Sequence, residues 1–327
     1  MGVAVVTGAS AGVGRAIARE LARQGHDVGV LARGEAGLEA AAREIRELGR
    51  RAEVLVADVA DPEAVHAAAR RAQAALGPVD VWVNNAMTGQ LARFEDTTPE
   101  EYRRITDVTY LGTVHGTMAA LELMRPRNRG TVVQVGSALA YRGIPLQAAY
   151  CGAKHAIQGF TESVRCELMH DGIDVHLTMV QLPAHDTPQF GQVRNKMPGL
   201  PMPVPPIFAP EVAARGVAWA ARHRRRELWL TANVATTLVG NALAPGLADR
   251  YLARTGFDDQ QRETPDPGGR PDYLFEPLPG DRGASGAFGA GAKTRAPYLW
   301  ATTHRRSLAA AAAGLAGLGG LAAGLRR

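Results

Sequence analysis

Apolar residues recur along the first 230 residues in two alternating patterns. Short runs rich in valine, typical of strands buried in a parallel sheet, read VAVVT, DVGVLA, AEVLVADV, VDVWVNNA, GTVVQVGS, IDVHLTMV and ELWLT. Between them, apolar positions three and four residues apart predict helices, among them a long one from about Pro99 to Met124. Alternating strands and helices predict an α/β fold with a doubly wound parallel sheet of about seven strands.

The pattern changes after about residue 230, which divides the chain into four predicted parts. Residues 1–230 form the α/β domain. Residues 231–257 have helix-compatible spacing, broken near Pro245, and are interpreted as a helical cover or an oligomer contact. Residues 258–297 are rich in Pro, Gly and Asp, which predicts a linker, and residues 298–327 form a basic tail.

The net charge of +5 is unevenly distributed. Seven basic residues and no acidic residue lie from Arg282 onward, so the remainder of the chain has a net charge of −2. This balance argues against a nucleic-acid groove on the domain and places any anionic partner at the C-terminus. Cys151 and Cys166 have no zinc-type spacing, which predicts reduced thiols and no metal. The first strand begins within three residues of Met1, which leaves no room for a signal peptide and predicts a cytoplasmic protein.

The tail contains eighteen uncharged residues, Leu308 to Leu325, between two arginine pairs. As a helix this run would span about 27 Å at about 1.5 Å per residue, just enough for a bilayer core. Eight of its residues are Ala and five are Gly, so the apolarity is poor. Three alternatives stay open: a marginal anchor holding residues 305–327 at the inner membrane face, a surface-lying helix, and a disordered basic tail.

A glycine-rich stretch, TGASAGVG, follows the first predicted strand and opens the first predicted helix. Gly8, Gly12 and Gly14 would let the backbone turn tightly and approach a pyrophosphate, whose charge then lies at the helix N-terminus. The alternative is an ordinary glycine-rich turn. Its position between a first strand and a helix favours a dinucleotide site.

Tyr150 and Lys154 are four residues apart on a predicted helix and therefore share one face. Two interpretations of the pair are open from its spacing alone: two amphipathic residues on a solvated helix face, or a reactive pair in which the lysine acts on the tyrosine. A tyrosine has an ordinary pKa of about 10 and is poorly ionised at neutral pH. A lysine ammonium one turn away is expected to lower that pKa.

The glycine spacing, the NNA triplet at 84–86, Ser137, and the Tyr150 and Lys154 pair together resemble the short-chain dehydrogenase/reductase family, non-extended type. The resemblance covers about residues 1–230. It implies an oxidoreductase that interconverts a carbonyl and a secondary alcohol with a nicotinamide cofactor. Tyr150 would be the general acid/base, Lys154 would also hold the nicotinamide ribose, and Ser137 would bind the substrate oxygen. A homodimer or homotetramer is likewise implied.

The end of the second strand favours NADP(H) over NAD(H), because it carries Arg33 and no carboxylate. Arg15 is a second cation within reach of a 2′-phosphate, although both arginines are alternatively interpreted as surface residues. By the resemblance, Asp58 and Val59 would contact the adenine, while Asn85 and Thr187 would lie on the nicotinamide side. The full set of predicted cofactor contacts is Gly8, Ser10, Gly12, Val13, Gly14, Arg15, Arg33, Asp58, Val59, Asn85, Tyr150, Lys154 and Thr187.

The sequence departs from the family pattern at three positions. Thr109 replaces the usual asparagine, which keeps a hydroxyl for a catalytic proton relay but not an amide; Met87 and Ala184 replace usual glycines. Thr109 and Met87 motivate an alternative function, a catalytically weak NADP(H)-binding sensor or scaffold. An epimerase or dehydratase using the same Tyr and Lys is a third option.

The loop from Pro183 to Pro210 lies at the family's substrate-lid position and predicts a lipophilic or aromatic small-molecule substrate. His185 and Arg194 could orient a polar group, but their place in such a loop favours a solvent-facing position. The residues predicted to form the apolar cover are Phe190, Met197, Leu200, Met202, Ile207 and Phe208.

Overall fold

Seven parallel strands form the central sheet in a computed structural model that describes residues 2–305 and 307–308. In chain order they are β1 (Val3–Thr7), β2 (Asp27–Ala32), β3 (Ala52–Val56), β4 (Val79–Asn84), β5 (Gly130–Ser137), β6 (Val175–Leu182) and β7 (Glu227–Trp229). The spatial order is β7-β6-β5-β4-β1-β2-β3. The predicted doubly wound sheet is confirmed.

Helices cover both faces of the sheet, which explains why the strands are apolar throughout. Val6 of β1 packs into one apolar layer with α1 (Gly12–Arg23), α2 (Glu35–Glu47) and α7 (Pro210–Ala220). Its neighbour Val5 points the other way, into a layer with α3 (Pro62–Leu76), α5 (Gly112–Met124) and α6 (Ala148–His170).

The long helix predicted from Pro99 to Met124 is interrupted. It consists of α4 (Pro99–Thr106), a π-helical turn (Asp107–Leu111) and α5. Thr98 caps α4 in a capping box with Glu101, which fixes where the helix begins. The π turn accommodates one extra residue per turn and contains Thr109; such turns are frequent at functional sites.

The carboxyl ends of β1 and β4 are the place where a ligand site is expected. From β1 the chain order runs outward to β2 and β3 on one side, and to β4, β5, β6 and β7 on the other. The loops that leave β1 and β4 therefore turn away in opposite directions and leave a crevice between them.

The C-terminal part contains α8 (Ala232–Leu243) and α9 (Pro245–Thr255), with Pro245 at the first position of α9. The strand Gln261–Pro265 pairs antiparallel with Gly199–Pro201, and α10 (Pro297–Thr303) follows further on. Within the described residues, no helix is long and apolar enough to span a membrane. The uncharged run of the tail lies, apart from Leu308, outside those residues.

Residues 258–297, for which a linker is predicted, pack against the domain. Ala284 and Ala296 are buried in the apolar layer that includes α7, and Leu274 is fully buried against Ile105. Pro and Gly interrupt helix and strand periodicity, but they do not prevent a segment from burying a few apolar side chains and bonding its backbone elsewhere. The composition of this segment therefore predicts a linker, whereas the segment packs against the domain.

Candidate active site

A cleft of about 780 Å³ lies at the carboxyl edge of the sheet. Its volume falls within the range of about 300–1,000 Å³ that is usual for small-molecule and cofactor sites. It extends from the glycine loop, where Gly8 and residues 10–14 line it, to Ser137, Tyr150 and Lys154. The structure thus brings the predicted phosphate loop and the predicted catalytic residues to one cavity.

The glycine loop can form only with glycine at its tightest points. Gly8 has a left-handed φ of +69°, and a Cβ there would lie 2.8 Å from Ala86 Cα. A Cβ on Gly14 would lie 2.2 Å from the carbonyl oxygen of Gly8. The N-cap residue Ala11 offers no side-chain acceptor, so the first-turn amides of Val13 and Gly14 have no intrahelical or capping partner. These donors at a helix N-terminus fit a pyrophosphate.

Asn85 joins the ends of β1 and β4 beside this loop. Its Nδ2 donates to the carbonyl oxygen of Thr7 over 2.9 Å. The Thr7 hydroxyl in turn accepts from the backbone amides of Asn85 and Ala86, each over 3.0 Å. These hydrogen bonds fix the crevice between β1 and β4, where the sheet order reverses, and Asn85 lines the cleft there.

Ser137, Tyr150 and Lys154 form one wall of the cleft. Ser137 is the last residue of β5, Tyr150 is the third residue of α6, and Lys154 is one turn further on. Ser137 and Tyr150 both line the cleft, and the Ser137 hydroxyl is close enough to lower the pKa of Tyr150 in part. Lys154 Nζ donates to the carbonyl oxygen of Val135 over 2.7 Å and lies 5.6 Å from the centroid of the Tyr150 ring.

The pKa of Tyr150 is raised, contrary to the expected lowering by Lys154. Burial raises this pKa most, and the nearby Ser137 hydroxyl lowers it only in part. Burial also lowers the pKa of Lys154 to about 8. Desolvation disfavours the charged form of both groups, which explains the opposite directions. Tyr150 is therefore a neutral phenol at neutral pH, the form that can donate a proton.

Thr109 does not line the cleft; its neighbour Val108 does. Thr109 is fully buried in the π turn. Its Oγ1 donates to the carbonyl oxygen of Thr88 over 3.0 Å and accepts from the amide of Thr88 over 3.1 Å. The hydroxyl is committed to this backbone, so the geometry makes Thr109 a positioning residue for the segment after β4. A role in the proton relay stays a prediction.

The two predicted phosphate-binding arginines occupy different environments. Arg33 lines the cleft, and its guanidinium donates to the carbonyl oxygens of Tyr273, over 2.6 Å, and Phe275. Arg15 is buried and pairs with Asp281 and with Glu44, the latter over 2.9 Å from Nη2 to Oε1. Two carboxylates neutralise Arg15, so the case for a 2′-phosphate site rests on Arg33.

The remaining predicted cofactor contacts also surround the cleft. Asp58 and Val59 line it beyond β3, and Asp58 accepts from Arg104 Nη2 over 2.5 Å. Thr187 lines the opposite side; a Cβ on Gly12 would lie 3.4 Å from Thr187 Cβ. Thr187 is therefore next to the glycine loop.

The predicted apolar cover builds only part of the cleft. Phe190 and Met202 reach the cleft, whereas Phe208 belongs to the buried core. Helices α8 and α9, which the apolar spacing did not connect to the site, contribute Asn233 and Tyr251 among others.

The expectation that His185 faces solvent is wrong, and Arg194, whose side chain is 28% exposed, is held in ion pairs. His185 is buried in the cleft wall, its Nδ1 lies 2.9 Å from the carbonyl oxygen of Pro183, and its Nε2 has no partner within the described structure. Burial lowers the pKa of His185 to about 4, so the ring is neutral. Arg194 forms ion pairs with Glu101 and Asp272, each over 2.9 Å.

Sequence reasoning missed residues from far along the chain that line the cleft, among them Tyr273 and Leu278. Long-range contacts hold their segment in place. The bond from Arg104 Nε to Leu274 O joins positions 170 apart, and the pair of Arg15 and Asp281 joins positions 266 apart. Local spacing holds no signal for such contacts.

Comparison with known proteins agrees with this geometry. The family profile described as short chain dehydrogenase matches residues 2–198. The uncharacterized oxidoreductase YxnA of Bacillus subtilis is 32% identical over 317 residues, which cover 96% of this chain and 88% of that protein. A 3-dehydrosphinganine reductase of Danio rerio is 32% identical over 199 residues, 59% of each chain.

A solved structure resembles the chain as well. The alcohol dehydrogenase of the archaeon Thermococcus sibiricus, complexed with 5-hydroxy-NADP, is similar at a TM-score of 0.60 and 30% identity, covering 70% of this chain and 95% of its own. The fold and the cleft define an oxidoreductase with a dinucleotide-type site. The chain belongs to the short-chain dehydrogenase family.

Proposed function

We propose that the protein is an NADP(H)-dependent oxidoreductase that interconverts a carbonyl and a secondary alcohol on a lipophilic small molecule. The observation that carries this proposal is the convergence of Ser137, Tyr150 and Lys154 with the glycine loop in one cleft. Arg33, and the 5-hydroxy-NADP bound by the archaeal relative, support NADP(H) as the cofactor.

Ser137 and Tyr150 would act on the substrate oxygen. The Ser137 hydroxyl accepts a hydrogen bond from the Leu139 amide over 3.1 Å, which leaves its proton available for donation. NADPH held in this cleft would supply the hydride for the carbonyl carbon. Ser137 then stabilises the charge that develops on the oxygen, and the neutral phenol of Tyr150 donates the proton that completes the alcohol.

Lys154 would orient the cofactor and stabilise the phenolate that this proton transfer leaves behind. An ammonium has three donors, and the bond to Val135 uses one of them. The other two are available for ribose hydroxyls. With a pKa of about 8, Lys154 is mostly protonated at neutral pH. Its charge, one helical turn from Tyr150, favours the phenolate.

The substrate end of the cleft supports a lipophilic molecule. Its apolar lining includes Leu139, Ile144, Phe190, Met202 and Leu252. The unpartnered Nε2 of the neutral His185 ring offers one acceptor for a substrate donor. The similarity to a 3-dehydrosphinganine reductase supports reduction of a ketone.

The test is NADPH oxidation by the purified full-length chain against a panel of lipophilic ketones and aldehydes. Tyr150→Phe should lower kcat by about 10²–10⁴-fold, the usual contribution of a positioned proton donor, with NADPH affinity nearly unchanged. Tyr102→Phe, on the exposed face of α4, is the matched control and should retain turnover. Unchanged turnover in Tyr150→Phe would contradict the mechanism. NADPH binding by the wild type without turnover on any compound would favour the sensor or scaffold alternative.

A further inference from the structure

Residues 272–288, here called the strap, cross the carboxyl edge of the sheet along the cleft. They belong to the segment whose composition predicts a linker, and they lie beyond the residues that the family profile matches. Three anchors attach the strap to residues of the candidate cofactor site.

The first anchor lies beyond β2 and β3. Arg33 donates to the carbonyl oxygens of Tyr273 and Phe275. Arg104 Nε donates to the carbonyl oxygen of Leu274 over 3.1 Å, and the Leu274 side chain is fully buried. This end of the strap is held by charge-assisted bonds and by apolar burial together.

The second anchor is the glycine loop itself. The carbonyl oxygen of Gly283 accepts from the amide of Gly12 over 3.0 Å. Asp281 pairs with the buried guanidinium of Arg15, and Glu44 occupies the other side of that guanidinium. Arg15 thus fastens the strap to the start of α1.

The third anchor is next to Thr187. Asp186 Oδ1 accepts from the amide of Phe288 over 2.9 Å, and Asp186 O accepts from the amide of Gly286 over 3.3 Å. A Cβ on Gly286 would lie 2.4 Å from the carbonyl oxygen of Thr187. The strap therefore touches both sides of the crevice.

Between its anchors the strap forms a wall of the cleft and does not fill the cavity. Pro277, Leu278 and Gly280 line the same cavity as the glycine loop, and the cavity continues to Tyr150. The Gly12 amide donates to the strap, whereas the amides of Val13 and Gly14 do not. The guanidinium of Arg33 has five N–H donors, and the two carbonyl oxygens of the strap accept from only some of them.

We propose that the strap is a retaining wall of the cofactor site, which encloses bound NADP(H) against the glycine loop and must open before the dinucleotide can leave. This inference rests on the proposed function. Enclosure excludes water from the phosphate contacts and adds the opening of three anchors to the barrier for release. The C-terminal segment is thereby a part of the cofactor site, even though it lies outside the matched family domain.

Release of NADPH from the full-length protein, followed by stopped-flow fluorescence after mixing with excess NADP⁺, tests the inference. Asp281→Asn removes the charged partner at the second anchor while Glu44 still pairs with the buried Arg15. We expect release to be accelerated by about tenfold, the effect of losing one charge-assisted bond. Asp171→Asn is the control, because the pair of Asp171 and Arg125 lies on the exposed surface.

Gly286→Ala is an independent test at the third anchor, where the added Cβ cannot be accommodated without moving the strap. Its matched control is Gly291→Ala, because a Cβ there meets no atom within 4 Å. We expect faster release from Gly286→Ala and wild-type release from Gly291→Ala. Circular dichroism identifies any variant that fails to fold. If one anchor variant does not fold, the NADPH release rate of the other anchor variant tests the inference.

Each outcome has a distinct meaning. Faster release from the folded anchor variants, with both controls at the wild-type rate, supports the retaining wall. Unchanged release in them overturns the inference and leaves the proposed function intact. Slower release or tighter NADPH binding also overturns it, since the strap would then compete with the dinucleotide. A wild-type protein that binds no NADPH overturns the proposed function and the inference together.

Discussion

The buried charge of Lys154 is expected to lower the free energy of unfolding of the protein. The residue surface of Lys154 is only 3% exposed, and its ammonium donates to the carbonyl oxygen of Val135. Burial lowers the pKa of Lys154 from 10.5 to about 8. Below pH 8 the lysine is protonated in both the folded and the unfolded chain, and the folded chain must hold that charge away from water. We therefore expect Lys154→Met to raise the free energy of unfolding at pH 7.

The magnitude follows from the pKa difference. At about 1.4 kcal/mol for each tenfold, a fall from 10.5 to about 8 corresponds to about 3 kcal/mol of destabilisation at pH 7. Methionine removes this cost but leaves the buried carbonyl of Val135 without the lysine donor, which costs about 1–3 kcal/mol. The expected net gain is therefore at most about 2 kcal/mol, together with loss of turnover.

Urea unfolding followed by circular dichroism at pH 7 and pH 10 measures this difference. The unfolded lysine keeps its proton up to about pH 10.4, whereas the folded one loses it near pH 8. The wild type therefore gains stability as the pH rises from 8 to 10.5, and the advantage of methionine shrinks over the same range. The exposed Lys293→Met is the control and should change little. A Lys154→Met protein that is less stable at pH 7, or a difference that is equal at both pH values, would refute the reasoning.

Two further predictions concern cofactor choice and the π turn. Arg33→Ala should raise the Kd for NADPH by about 10–100-fold, as expected for a lost bond to a charged group, and should change the Kd for NADH much less. Fluorescence titration with both cofactors measures this, and equal effects would contradict a 2′-phosphate contact. Thr109→Val keeps the shape of the side chain but leaves the buried amide and carbonyl of Thr88 unpaired. It should lower the free energy of unfolding by about 1–3 kcal/mol, measured by urea unfolding. Thr109→Ser keeps the hydroxyl and should retain most of the wild-type stability. Wild-type stability in Thr109→Val would contradict the assigned contacts.

The sheet and the core of the site could be predicted because their signals are local. Each strand is a short apolar run and each helix has its own period, so the alternation is visible without any long-range contact. The glycine loop is visible because its backbone geometry excludes side chains at Gly8 and Gly14. Tyr150 and Lys154 are visible because four residues make one helical turn.

What the sequence by itself determined is thus the α/β architecture, the glycine loop and the pair on α6. Only the tertiary structure decided that Arg15 pairs with carboxylates, that His185 is buried, and that part of the strap lines the cleft. These outcomes depend on where a distant part of the chain returns. The strap has no helix or strand period of its own. Its place is set by carbonyl oxygens and one carboxylate that find donors more than 160 positions away, and by amides that donate to Asp186. A pattern read along the chain describes neighbours in sequence, whereas burial and charge pairing depend on neighbours in space.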